Sequence, residues 1–324
     1  MARGDRADST SRSPAGACNP PAGAGPGPVR AAGRPEAGTA ALDDAAVERF
    51  RRRVCWHGRR HYRVLPWRDT RDPYAILVSE VMLQQTQVTR ALDHYARFLA
   101  RFPDPAALAA APLSAVLEHW SGLGYNRRAL ALQRAAGAVV SEHGGLLPAD
   151  RDALLRLPGV GPATAGAVLA FAFSQPAVFI ETNIRRLFLH QFFPAADNVP
   201  DAALLPLVAR TLDRRQPRRW YYALMDWGAA LGRRPGNPNR RSAHYSRQEP
   251  FAGSRRELRG RVLRLLTDRR CLPLAELQER CADERLAAVV ADLAAEQFVT
   301  HTGALVCIAG HRAPPSTRQS ISLP

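Results

Sequence analysis

Residues 157–161 read Leu157-Pro158-Gly159-Val160-Gly161, and no other stretch constrains the fold of this chain as strongly. Bare glycine backbone fits between two helices where a side chain would collide, and it leaves N–H groups at a helix N-terminus free to face a phosphate. Such a turn grips nucleic acid without reading its sequence. Residues 163–173 are apolar and alanine-rich, the pattern of a buried helix, and lead to Phe179-Ile180-Glu181-Thr182-Asn183, where an acid follows an apolar run. A carboxylate held beside a gripped backbone is the minimal apparatus for attacking a sugar–base bond.

Composition points the same way. All 45 basic side chains are arginine, no lysine occurs, and the net charge is +16 with a pI near 11.0. Arginine stays charged and forks onto phosphate, which fits a polyanionic partner. A host codon bias explains the missing lysine but not 45 bases against 29 acids. Without lysine, no side-chain ε-amine exists to form a Schiff base.

The 324 residues, 46% hydrophobic, suffice for one large core and one small one. No apolar run reaches the roughly 20 residues of a membrane span, and no secretory signal is recognisable, so a cytoplasmic, nucleoid-associated monomer is expected. Cys18, Cys55, Cys271, Cys281 and Cys307 are scattered and odd in number, which argues against a disulfide framework and against a compact four-cysteine metal site.

Residues 1–41, rich in Pro, Gly, Ala and Ser, are expected to be disordered or a mis-assigned start. Helical patterns follow over 43–61, 74–88, 90–101, 105–120, 127–142, 151–155, 163–173, 183–191, 201–214 and 219–230, without a convincing strand between them. The core over 42–231 is therefore all-α. Residues 232–253 read as a basic linker, and 254–310 as a winged-helix-like α+β module: helices over 254–267, 274–281 and 284–296, then a hairpin turning at Thr302-Gly303. The third helix is acidic and alanine-rich, which suits protein docking or a structural role at least as well as groove reading. Residues 311–324 form a C-terminal tail.

A second motif is Ser79-Glu80-Val81-Met82-Leu83-Gln84-Gln85-Thr86-Gln87-Val88. At helical spacing Ile76, Leu77, Val81 and Leu83 face the core while Glu80, Gln84 and Gln87 share another face. Glu80 among apolar neighbours is either a proton donor with raised pKa or a solvated helix acid, and Gln84 and Gln85 can equally be surface amides.

These residues, with Pro66-Trp67-Arg68, Pro73-Tyr74, Arg101-Phe102-Pro103, Gly122-Leu123-Gly124-Tyr125, Gly144-Gly145 and Ala223-Leu224-Met225-Asp226-Trp227-Gly228, resemble the catalytic domain of MutY-type adenine DNA glycosylases. That family lies within the helix-hairpin-helix superfamily that includes endonuclease III. The resemblance implies a helix-hairpin-helix core acting on double-stranded DNA that carries a mispaired or damaged base. Glu80 would protonate the adenine, Gln85 would wedge into the base stack, and Glu181 would stand at the position of the catalytic aspartate with Asn183 in support. Gln84 joins Gln85 as a DNA contact, with Leu157, Gly159, Val160 and Gly161 at the hairpin and Arg240 and Arg241 in the linker.

The sequence departs from the family in several places. Glu181 is one methylene longer than aspartate. Ala163 stands where endonuclease III carries its Schiff-base lysine, and Asn126 replaces a second tyrosine. The four iron–sulfur cysteines expected after Gly228 are absent, so no cofactor and no metal is expected. A short module replaces the longer domain that recognises 8-oxoguanine. The expected activity is monofunctional removal of adenine opposite guanine or 8-oxoguanine; the alternatives are a thymine-mismatch or pyrimidine glycosylase and a non-catalytic damage binder. Trp220, Tyr221, Tyr222 and Trp227 read as core, Asp226 as a solvated acid or a polar support, and Arg185 and Arg186 as phosphate contacts or a solvated face.

Overall fold

The computed structural model describes residues 42–248 and 250–311, so the expectations for the two tails fall outside it, apart from His311. Eleven helices build the core: α1 (Asp44–Arg60), α2 (Pro73–Leu83), α3 (Val88–Arg101), α4 (Pro105–Ala110), α5 (Leu113–Trp120), α6 (Arg127–His143), α7 (Arg151–Arg156), α8 (Pro162–Phe171), α9 (Thr182–Phe192), α10 (Asp201–Thr211) and α11 (Pro217–Gly232). Their starts are written locally. Asp43, Asp104 and Asp150 each accept a backbone N–H three residues on, and Pro73, Pro105, Pro162 and Pro217 take the first helical position, where the missing N–H costs nothing. Trp120, Tyr221, Phe98, Phe102, Phe171 and Phe188 fill the core and are fully buried. The aromatic residues of α11 thus belong to the core, as their spacing indicates.

Two helices end earlier than the pattern suggests. The stretch 74–88 is not one helix: α2 stops at Leu83, a turn holds residues 84–87, and α3 starts at Val88. The stretch 105–120 is divided at Ala111 and Pro112, because proline cannot continue α4.

The segment 232–253 is not a free linker. Pro238–Arg241 forms a 3-10 turn packed on α9, and Ser242 bridges to Val199. Beyond it come α12 (Arg255–Arg269), β1 (Cys271–Pro273), α13 (Leu274–Cys281), α14 (Leu286–Ala295), β2 (Val299–Thr302) and β3 (Leu305–Ile308). The strands form one antiparallel sheet in the order β1-β3-β2. This helix and strand order is that of a winged helix, with β1 as the strand missed in sequence. The register sets Cys271 opposite Cys307, and the two are joined by a disulfide. That corrects the expectation of no disulfide, because strand pairing brings together cysteines 36 residues apart in sequence.

Helices α9 and α11 approach closely at Gly228, where an added Cβ would collide with the Asn183 carbonyl oxygen. Gly228→Ala is therefore expected to push α9 away and to destabilise the fold by about 1–3 kcal/mol, the usual cost of overpacking. Thermal unfolding checks this; an unchanged midpoint would show that the two helices are not held at this distance.

Candidate active site and nucleic-acid interface

Glu181 is the N-cap of α9. Its carboxylate accepts the backbone N–H groups of Asn183 and Ile184, both at 2.7 Å, through Oε1, and the Asn183 side-chain amide at 3.0 Å through Oε2. The extra methylene is absorbed by the cap, so the longer acid is anchored where a helix N-terminus favours negative charge. Behind it Asn183 Oδ1 accepts from Arg186, which also donates to the Gly228 carbonyl and to Asn237 of the packed segment. Asn239 completes the tie by donating to the Thr182 carbonyl. Arg186 is thus a structural link rather than a phosphate contact, and Arg185 is paired with Asp201.

Glu80 lies near the end of α2, half-buried and close enough to Glu181 to feel its charge. Desolvation, then the neighbouring Glu181 carboxylate, push it up to about 8, against the opposing pull of Arg68. Burial, the largest influence, also leaves Glu181 raised, against the opposing pull of its backbone hydrogen bonds, Arg186 and the Asn183 amide, which favour the ionised form. Glu80 therefore holds its proton at neutral pH. Arg68 is buried and fixed by Asp226, with Nη1–Oδ2 and Nη2–Oδ1 both 2.8 Å, and Arg63 completes the buried cluster. Asp226 is the polar support in the core. Arg68 stacks on Tyr222 at 4.3 Å, and its Nε has no hydrogen-bond partner among the described residues. The sequence marks Arg68 and Asp226 only through the Pro66-Trp67-Arg68 motif and the motif over 223–228 and does not show that they meet.

The hairpin joins α7 to α8 through residues 157–161. Gly159 has φ +76°, and a Cβ there would meet Ala131 at 2.7 Å, so glycine is required. Gly161 differs from the expectation of a collision: open space surrounds it, and as the N-cap of α8 it has no side chain to occupy the first-turn N–H groups. The side chains of Leu157 and Val160 are buried in the core, so this turn offers only backbone to a phosphate. Gln84 spans from α2 to α8 by donating to Thr164 Oγ1 at 3.2 Å. Gln85 is exposed, with a left-handed backbone at φ +54°.

That turn is held by Arg128, which sequence reasoning missed. Its guanidinium donates to the carbonyls of Val81, Met82, Gln84, Leu123 and Gly124 and to Thr86 Oγ1. One side chain thus closes the end of α2 and ties the turn to the loop before α6. In the packed segment Arg240 is exposed, whereas Arg241 donates to the Leu189 and Pro194 carbonyls at the end of α9. Arg241 is a helix cap and Arg240 remains available to a partner.

The described residues do not fit the iron–sulfur cluster implied by the resemblance, because no four cysteines come together among them. Asn237, Asn239 and Arg241 anchor the segment after α11; Cys271 and Cys307 are bonded to each other, Cys55 is on α1 and Cys281 is buried on α13. Among the described residues no group of three or more His, Cys, Asp or Glu can hold a metal, and no helix is long and apolar enough to cross a membrane.

Residues 78–204, from α2 into α10, match the HhH-GPD family, the HhH-GPD superfamily base excision DNA repair proteins. An adenine DNA glycosylase of Mycolicibacterium smegmatis is 37% identical over 230 residues, covering 65% of this chain and 77% of the relative. One from Buchnera aphidicola is 32% identical over 180 residues, covering 54% of this chain and 50% of the relative. A solved thermostable thymine-DNA glycosylase superposes with a TM-score of 0.51 at 28% identity, over 56% of this chain and 86% of its own. The helices and hairpin, with these relatives, define the class of helix-hairpin-helix DNA glycosylases. The chain belongs to that superfamily of base excision repair proteins, in its MutY-like family.

Because folded Glu80 titrates at about 8 rather than 4.5, the folded state keeps a proton that the unfolded chain releases between those values. Stability therefore falls as pH rises through this window. Glu80→Gln removes the loss, so its unfolding midpoint is expected to exceed that of the unaltered protein at pH 8 by more than it does at pH 4.5. Parallel melting curves at both pH values would contradict the raised pKa.

Proposed function

We propose that this protein is a monofunctional DNA glycosylase that removes adenine mispaired with guanine or 8-oxoguanine. The observation that carries the proposal is the carboxyl pair, with Glu80 protonated at neutral pH and Glu181 pinned to a helix N-terminus. Two neighbouring acids in different environments, one held by no backbone N–H among the described residues and one capping a helix, suit acid catalysis beside a developing cation. The adenine DNA glycosylases among its relatives support the choice of base.

In this mechanism the hairpin backbone and the first turn of α8 hold a phosphate while Gln85 enters the vacated stack. The target base meets Glu80. Glu80 gives its proton to a ring nitrogen as the C1′–N bond breaks, so the bonding pair leaves with a neutral base. The cation at C1′ is stabilised by Glu181. Water then adds to C1′, and its proton goes to a carboxylate, leaving an abasic site in an intact strand. No lysine is available to form an imine with the sugar. Arg240 contributes a phosphate contact. Residues 42–231 form the catalytic unit, with the module at 254–310 appended through 232–253.

The solved thymine-DNA glycosylase favours a second reading, a thymine-mismatch enzyme on the same scaffold. Single-turnover incubation with duplexes bearing adenine opposite 8-oxoguanine, adenine opposite guanine and thymine opposite guanine separates the two. Adenine release is expected, with strand scission only after alkali and no borohydride trapping. Thymine release alone would move the assignment to the second reading, and no release from any duplex would leave a damage binder.

Two variants check the roles. Glu80→Gln is expected to lower base release by about 10²–10⁴-fold with duplex binding retained, since general acid catalysis is worth about that much. Release near the unaltered rate would exclude Glu80 as the acid. Arg240→Glu is expected to weaken binding and to reduce the log–log salt slope by about 0.9; an unchanged slope would remove Arg240 from the interface.

A further inference from the structure

The C-terminal module reaches the extrusion turn through a continuous set of contacts. Arg256, near the start of α12, donates from Nη1 to the Tyr125 hydroxyl at 2.9 Å, and its guanidinium carbon lies 5.9 Å from the centre of that ring. Tyr125 has a left-handed backbone at φ +49°, directly after Gly124 at +71°. The Arg128 guanidinium sits 5.5 Å from the same ring. Arg128 in turn holds the Gln84 carbonyl and Thr86 Oγ1, which flank Gln85.

A second seam runs beside the first. Glu296, just past α14, accepts from Arg127 of the core and from Arg259 of the module, and Arg134 donates to the Gln297 side chain at 2.7 Å. These arginine contacts hold the module above them in one orientation. The chemistry of α14 agrees with a supporting role. Its exposed positions Ala287, Ala288, Ala291 and Ala295 carry no donor for a base edge, and its acid Asp292 is paired with Arg255.

We propose that the module is a brace for the extrusion turn, with Arg256 and Tyr125 as positioning residues. By fixing the Tyr125 ring, Arg256 holds Arg128 in its carbonyl cage, and Arg128 keeps Gln85 presented in its left-handed conformation. The brace acts on extrusion of the nucleotide and not on recognition of a base. It rests on the glycosylase reading above for its purpose, yet extrusion can be measured without base release.

The experiment uses the full chain and a duplex carrying 2-aminopurine opposite guanine, whose fluorescence rises on unstacking. Arg256→Ala and Tyr125→Phe are each expected to bind the duplex within about twofold of the unaltered protein and to slow the fluorescence rise about tenfold, the effect of losing one charge-assisted hydrogen bond. The double variant is expected to be no slower than either single one, because both act on one path. An extrusion rate unchanged in Arg256→Ala, losses that multiply in the double variant, or slowing that only follows lost affinity would each overturn the brace. Extrusion by the unaltered protein without release of any base would refute the glycosylase reading alone. Absence of extrusion by the unaltered protein would refute both.

Discussion

The Glu181 carboxylate does two jobs that share one geometry. It satisfies the first free N–H groups of α9, and in the proposed mechanism it is also the acid that stabilises the cation. The helix therefore cannot shift or fray without moving the candidate catalytic group. The lateral position of α9 is set by contact with α11 at Gly228, and its ends are set by Asn239 and Arg241 from the packed segment. Each tie is made with ordinary amide, carbonyl and guanidinium groups. Hydrogen bonds alone supply these ties.

Charge around Glu80 is balanced against that anchor. A glutamate at about 8 pays for its proton in stability, and the surrounding core must tolerate it. Arg68 is the counterweight. Alone it would ionise Glu80 more readily, but its charge is largely spent on Asp226, with Arg63 sharing the same acid. Tyr222 stacks on Arg68 and separates it from bulk water. Removing one partner of such a buried cluster costs more than the cluster gains by forming, so its members are expected to change together or not at all.

What could be read in sequence was local. Asp and Pro caps, the glycine at 159 and the isolated acids at 80 and 181 each announce themselves within a few residues. Arg128 does not, because its six acceptors are spread over residues 81–86 and 123–124 and nothing in the chain marks them as neighbours. The Cys271–Cys307 pairing and strand β1 were hidden for the same reason, being set by a register formed across the module. Leu157 and Val160 are expected as DNA contacts from their place in the hairpin motif, yet the turn folds their side chains inward. The segment after Gly232 is polar enough to resemble a tether, but Asn237, Asn239 and Arg241 spend that polarity on carbonyls and side chains of α9 and its surroundings.

The left-handed backbone at Gln85 has a consequence for the speed of recognition. An L-residue in that region is strained by roughly 1–2 kcal/mol, and the strain is present before any duplex arrives. In the proposed mechanism no reorganisation of the turn is then needed at the moment a base leaves the stack, so the barrier to entry would be lowered by work already done in folding. A glycine at this position would relieve the strain but widen the ensemble, and the loop would have to search for the shape it now holds from the outset.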